Sequence, residues 1–205
     1  MTQAAAQRWT IEEFFAWQEQ QPERYELVDG FPLRMMAGAK NVHDDIVVNV
    51  LIQLGNQLRG KGCRPFTGDG SIETKPGQIR RPDIGVDCGR RDPNAMKAAS
   101  PRVVFEVLSP STRDFDTIGK LEEYKLVKSL ERIVVIEPNA PEVIIWLRGA
   151  DGADGRYGAD RNWQKSILRG LDQEIDMPEI GVTLPLAEIY DGVEFFARPR
   201  VMSDA

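Results

Sequence analysis

The sequence predicts an α/β fold with a mixed β-sheet flanked by helices. Three observations carry that prediction. Helical and extended patterns follow one another as helix, hairpin, helix, strands, helix, strand, an order that builds sheet and helix into shared layers. The run Ile133 to Ile136 is β-branched throughout, which marks a strand buried on both faces. The chain has 205 residues, 41% hydrophobic and 28% charged, enough to bury the core of one domain. No internal repeat is present, so residues 1–205 read as one domain. A hairpin and a short helix, about 142–195, extend it at the C-terminal end.

The first helix begins with Thr10 as N-cap and Glu13 at N3, a capping box, and stops before Pro22. Phe14, Phe15 and Trp17 form its apolar face. Tyr25 to Val28 and Phe31 to Met36 flank Asp29-Gly30, the pattern of a β-hairpin. A second helix runs from about Val42 to Leu58, capped by Asn41 with Asp44 at N3. It places Ile46, Val50, Leu51, Leu54 and Leu58 on one face. Short strands follow around Cys63 to Phe66, Gly70 to Lys75 and Asp83 to Cys88. Residues 89 to 101 read as a polar loop. Arg102 to Leu108 is a strand rich in Val and Phe, and Ser109-Pro110-Ser111-Thr112 breaks it. Ser111 with Asp114 then caps a helix reaching about Ser129.

Val143 to Leu147 and Trp163 to Leu168 read as a hairpin, and Leu186 to Tyr190 as a final short helix. The intervening Gly149 to Asn162, rich in Gly, Asp and Ala, reads as a mobile loop. It is no calcium loop, because the positions that should be acidic after Asp151 hold Ala153 and Gly155.

Net charge is −6 and the pI is near 5.0, which argues against a protein that coats nucleic acid non-specifically. Arg80, Arg81, Arg90, Arg91, Lys97 and Arg102 crowd one stretch; they form either a local basic groove or a solvated loop surface. Cys63 and Cys88 form no CxxC pair and have no nearby histidine, so both are expected to be reduced and buried. Met1 to Thr10 lacks the apolar core of a signal peptide, and no apolar run is long enough to span a bilayer. A cytoplasmic location without membrane contact is the expectation. Glycine-rich phosphate loops and a Gly-x-Ser-x-Gly elbow are both absent, which lowers nucleotide-binding and serine-hydrolase readings.

The chemistry concentrates in Asp83 and Glu106. In the strand Val103 to Leu108, alternation puts Val104, Glu106 and Leu108 on one face and Val103, Phe105 and Val107 on the other. A carboxylate in so apolar a strand is costly to bury unless it is paired, hydrogen-bonded or metal-bound. Two carboxylates on neighbouring strands suit Mg²⁺ or Mn²⁺. The competing account makes them partners of Arg81 or Arg102. For two close carboxylates without metal, at least one carboxyl should sit above its ordinary range. Asp116, Lys120 and Tyr124 recur at i, i+4 and i+8 on the following helix, so Lys120 either reaches back to the carboxylates or joins Asp116 in a solvated surface pair.

These residues resemble the Uma-two family, grouped with restriction endonucleases in the PD-(D/E)XK nuclease superfamily. The resemblance lies in Pro82-Asp83, in Val104-Phe105-Glu106-Val107-Leu108-Ser109-Pro110-Ser111-Thr112, and in Asp116, Lys120 and Tyr124. It extends to Arg24-Tyr25-Glu26-Leu27-Val28-Asp29-Gly30 and His43. It implies a restriction-endonuclease-like core and a Mg²⁺- or Mn²⁺-dependent endonuclease acting on DNA. Asp83 and Glu106 would be metal ligands, joined by the backbone carbonyl of Val107, and Glu26 would match an acidic residue found in many such sites. The chain departs from the superfamily pattern at Leu108, where the Glu-x-Lys lysine belongs; Lys120 could substitute for it.

Three residues keep two readings each. Glu26 alternates with Tyr25 and Leu27, and is either a site acid or a solvent-facing strand residue. His43, in a first helical turn whose dipole favours its neutral form, could contact phosphate or relay a proton, or could pair with Asp44 or Asp45. Tyr124 either bonds to the site or packs on the sheet, with packing favoured. A non-catalytic DNA- or protein-binding member of the fold is the alternative function, and a hydrolase of small phosphoesters is a third. Duplex cleavage would call for a homodimer.

Overall fold

A computed structural model describes residues 8–35, 40–109, 116–149 and 163–195, with side chains described from 119 onward in the third segment. The chain opens with α1 (Ile11–Gln18), whose Thr10 side chain accepts from Glu13 N–H while the Glu13 carboxylate accepts from Thr10 N–H. The hairpin of β1 (Tyr25–Val28) and β2 (Phe31–Arg34) follows. Its turn residues Asp29 and Gly30 have φ of 51° and 85°, the left-handed conformation that a two-residue hairpin demands. The strand end expected at Met36 lies outside the described residues. Helix α2 (Asn41–Leu58) buries Ile46, Val50, Leu54 and Leu58 at the expected helical spacing. Its cap differs from the expectation: Lys40 takes the N-cap position without a side-chain cap, and Asn41 is already helical.

The middle of the chain supplies β3 (Arg64–Thr67), β4 (Ile72–Lys75), β5 (Gln78–Arg80), β6 (Ile84–Asp87) and β7 (Pro101–Val107). Then come α3 (Asp116–Leu126), β8 (Arg132–Glu137), β9 (Glu142–Arg148), β10 (Trp163–Arg169), β11 (Glu174–Met177), β12 (Val182–Pro185) and α4 (Leu186–Ile189). Strands β5, β11 and β12 add to the expected set. The 89–100 stretch carries no strand, and the Gly149–Asn162 loop lies outside the described residues from 150 onward.

One sheet runs β2-β1-β5-β4 and is antiparallel; a six-stranded mixed sheet runs β10-β9-β8-β7-β6-β3. Within the larger sheet β7 and β8 are parallel and their outer neighbours antiparallel, so α3 is the crossover that a parallel pair requires. The alternation expected for β7 holds. Val103, Phe105 and Val107 join α2, β12 and α4 in the main apolar cluster. Val104 joins Tyr124, Leu130, Ile133 and Val135 on the α3 side. The smaller sheet packs Leu27 and Ile79 against Phe14 of α1. Among the described residues, no helix is long and apolar enough to cross a membrane.

The structure joins Cys63 and Cys88 in a disulfide, correcting the expectation of two reduced thiols. Antiparallel pairing sets Arg64 opposite Asp87, so the residues just outside that pair face each other. Motif spacing along the chain carries no information about such a cross-strand meeting.

Candidate active site

Strand pairing brings the two carboxylates together. Ile84 pairs with Phe105 at the end of the β6–β7 ladder, so Asp83, the residue just before β6, comes beside the Glu106–Val107 end of β7. Asp83 Oδ2 accepts the Val107 N–H at 2.8 Å and lies 3.3 Å from His43 Nε2, at the start of α2. Glu106 projects to the α3 side, where the Tyr124 hydroxyl donates to its Oε1 at 2.7 Å. Tyr124 therefore fills both of its readings, because its ring also packs in the α3-side cluster.

Burial pushes the Glu106 carboxyl up to about 8, and the nearby Asp83 carboxylate adds to the rise, while the Lys120 charge opposes it. The arginines offered as alternative partners are engaged elsewhere. Arg81 donates to the Tyr25 and Asp69 carbonyls, and Arg102 pairs with Glu131. Burial also lowers the Arg81 pKa.

His43 departs from expectation twice. Its partner is Asp83 rather than Asp44 or Asp45, and its pKa is raised, first by the hydrogen bond to Asp83, against the opposing effect of burial. A carboxylate in contact outweighs the helix dipole, whose effect on one charge is typically below 1 kcal/mol.

Lys120 is turned inward, with its side chain 14% exposed and Nζ 3.1 Å from Glu26 Oε1. The Lys120 amine therefore does not stand on a solvated surface. The side chain of Asp116 lies outside the described residues. Glu26 is no solvent-facing strand residue, being only 2% exposed. Its Oε1 also accepts the Arg81 N–H at 2.9 Å, and its Oε2 accepts Arg80 Nη1 at 2.9 Å. Arg80 in turn grips Glu123 of α3 through Nε at 2.7 Å and Nη2 at 2.8 Å, and the Thr74 hydroxyl donates to the same carboxylate. Burial works against the Arg80 charge, yet Glu123 and Glu26 hold its pKa above the ordinary value. Burial likewise opposes the Glu123 charge, but Arg80 keeps that carboxyl below its usual range.

Arg80 and Arg81 are thus interior residues rather than part of a solvated basic face. In the same stretch Lys97 pairs with Glu73, while Arg90 and Arg91 are exposed. Sequence reasoning missed Arg80 and Glu123 as companions of the site. Glu123 stands three residues after Lys120 and so on the same helical stripe, a signal that was available.

The donor set can be tested against a metal. Among the described residues, no three or more His, Cys, Asp or Glu side chains gather closely enough to cage an ion. That rules against an all-protein zinc or calcium cage there. Mg²⁺ commonly keeps several waters and takes only one or two carboxylates, which matches the Asp83–Glu106 pair.

Residues 11–184 match the family model of Uma2, described as "Putative restriction endonuclease". "Uncharacterized protein slr1290" of Synechocystis is 29% identical over 186 residues, covering 90% of this chain and 92% of that protein. A crystal structure described as "a putative nuclease belonging to DUF820" from Anabaena variabilis superposes with a TM-score of 0.63 at 17% identity. It covers 90% of this chain and 99% of the other, a likeness of fold.

Proposed function

Because the chain belongs to the Uma2 family of restriction-endonuclease-like proteins, we propose that it hydrolyses phosphodiester bonds in DNA with Mg²⁺ or Mn²⁺ held by Asp83 and Glu106. The observation that carries this reading is the meeting of Asp83 and Glu106 at the end of the β6–β7 ladder: two carboxylates near each other, one buried, with neighbouring arginines committed elsewhere. The Val107 carbonyl would complete the protein's share of the ligands. A cation bound there would polarise the scissile phosphate and lower the pKa of the attacking water.

The chain's own residues have separable tasks. Tyr124 fixes Glu106 through Oε1, while His43 and the Val107 N–H fix Asp83 through Oδ2. The Lys120 ammonium offsets negative charge growing on the phosphorane, and preorganised charge of this kind supplies much of an enzyme's rate enhancement. Leu108, at the place of the strand lysine, is what favours a non-catalytic DNA- or protein-binding reading; Lys120 answers it by bringing an amine from α3. A two-fold homodimer, addressing both strands of a duplex, is the assembly this function calls for.

Asp83→Asn tests the reading. It keeps an oxygen to accept the Val107 N–H and removes the charge that holds metal. We expect Mn²⁺-dependent nicking of plasmid DNA to vanish while the protein stays folded in EDTA. A stability loss of about 3–5 kcal/mol in EDTA would instead make Asp83 a member of a structural ion pair.

A further inference from the structure

We propose that Glu26 is a positioning residue for Lys120 rather than a ligand to the cation, and that Arg80 and Glu123 lock α3 so that the amine stays at the carboxylates. This rests on the nuclease reading, which gives the amine its task. A lysine on a β-strand is held in place by the sheet. Lys120 instead ends a flexible four-carbon stem on a crossover helix, where a small rotation of the helix carries the amine away. Such a residue needs an anchor of its own.

The anchor is a closed ring of charges. Lys120 binds Glu26, Glu26 binds Arg80, and Arg80 binds Glu123, which returns to α3 one turn beyond Lys120. The helix is thus tied to the smaller sheet at two points on one face, which fixes both its rotation and its axial position. The ring holds two carboxylates and two cations, so no net charge is left in a nearly sealed place. Arg80 is 4% exposed and Glu26 2%.

The oxygens of Glu26 are already committed to the Arg81 N–H, Arg80 Nη1 and Lys120 Nζ. A carboxylate has about four acceptor sites, so a cation would find at most one open and would approach two cations to reach it. The Lys120 amine, by contrast, stands one helical turn from Tyr124, whose hydroxyl holds Glu106 at 2.7 Å.

The test compares the full chain as wild type, Glu26→Gln, Glu26→Asp and Asp83→Asn. Mn²⁺ affinity is read by titration calorimetry, and plasmid nicking at saturating Mn²⁺. Lys120 acetylation is followed by mass spectrometry in EDTA. We expect Glu26→Gln to keep wild-type Mn²⁺ affinity and to nick roughly 10²-fold more slowly, the scale of a small misplacement. Its Lys120 should acetylate several-fold faster, since the amine has lost the Glu26 carboxylate. Glu26→Asp, which keeps the charge on a shorter stem, should fall between Glu26→Gln and wild type in both rates. A loss of Mn²⁺ affinity matching that of Asp83→Asn would make Glu26 a ligand and overturn the proposal. Unchanged Lys120 acetylation in Glu26→Gln would overturn it too, and that measurement needs neither metal nor DNA. A wild type that neither binds Mn²⁺ nor nicks sinks the nuclease reading, and the acetylation rates then judge the anchor by themselves.

Discussion

Replacing Glu106 with Gln should change how stability depends on pH, and the size of the change follows from the site. The folded carboxyl titrates at about 8, against 4.5 for the unperturbed group. Between those values the folded chain keeps a proton that the unfolded chain has released. Stability therefore falls as pH rises through the window and levels off above about 8. The gap of roughly 3.5 pH units, at about 1.4 kcal/mol per unit, sets a ceiling on the order of 5 kcal/mol. Gln carries no titrating proton and still accepts from the Tyr124 hydroxyl; burying its amide adds an offset that does not vary with pH. His43 contributes a separate fall. Its pKa is raised, so its stabilisation is complete below its ordinary value of 6.5 and lost as pH climbs through the folded pKa. Both proteins keep the Asp83 hydrogen bond, the largest cause of that fall, but Glu106 also raises the His43 pKa, so subtraction removes only the part that Asp83 sets.

The assay is chemical denaturation of both proteins in EDTA from about pH 5 to about pH 9. The variant should gain on wild type by up to about 1.4 kcal/mol per pH unit through the window. If the proposed cation site is right, Mn²⁺ should then restore wild type at the alkaline end and leave Glu106→Gln, which lacks one of the two carboxylates, unmoved. Parallel curves in EDTA would refute the reasoning, because a carboxylate already neutralised by fixed cations has no such pH-dependent cost.

Two further expectations concern the same face and the assembly. Tyr124→Phe removes the hydroxyl that stabilises the Glu106 carboxylate, so it should raise the Glu106 pKa further and cost about 1 kcal/mol at alkaline pH, measurable by the same titration. The homodimer should show as twice the chain mass by light scattering at assay concentrations; a monomer that nicks DNA removes that part of the proposal.

What could be read from the sequence is what local chemistry dictates. Thr10 with Glu13, and Asp29 with Gly30, carry their structures within four residues, and both are found as read. The strict alternation of β7 places Glu106 on the face opposite Val103, Phe105 and Val107, as found. What escaped was set by distant partners. Strand β5 has only three residues, too short for a periodic signal, and exists because β1 and β4 flank it. Arg80 beside Arg81 looks like surface charge until Glu26 and Glu123, 54 and 43 residues away, close around it. The Cys63–Cys88 pairing and the His43–Asp83 contact likewise depend on strand and helix placement. For His43, local dipole reasoning pointed the wrong way because the stronger term came from across the fold.

The parallel pairing of β7 with β8 has a consequence for synthesis on the ribosome. Asp83 and Glu106 belong to an antiparallel neighbour pair that emerges together, whereas Lys120 rides on the crossover to β8. A chain halted after Val107 would own both carboxylates, yet lack the amine, the Tyr124 hydroxyl and the strand that covers the far side of β7. Domains fold largely in the order they are made. A prematurely ended fragment is therefore missing the part of the candidate site that α3 supplies.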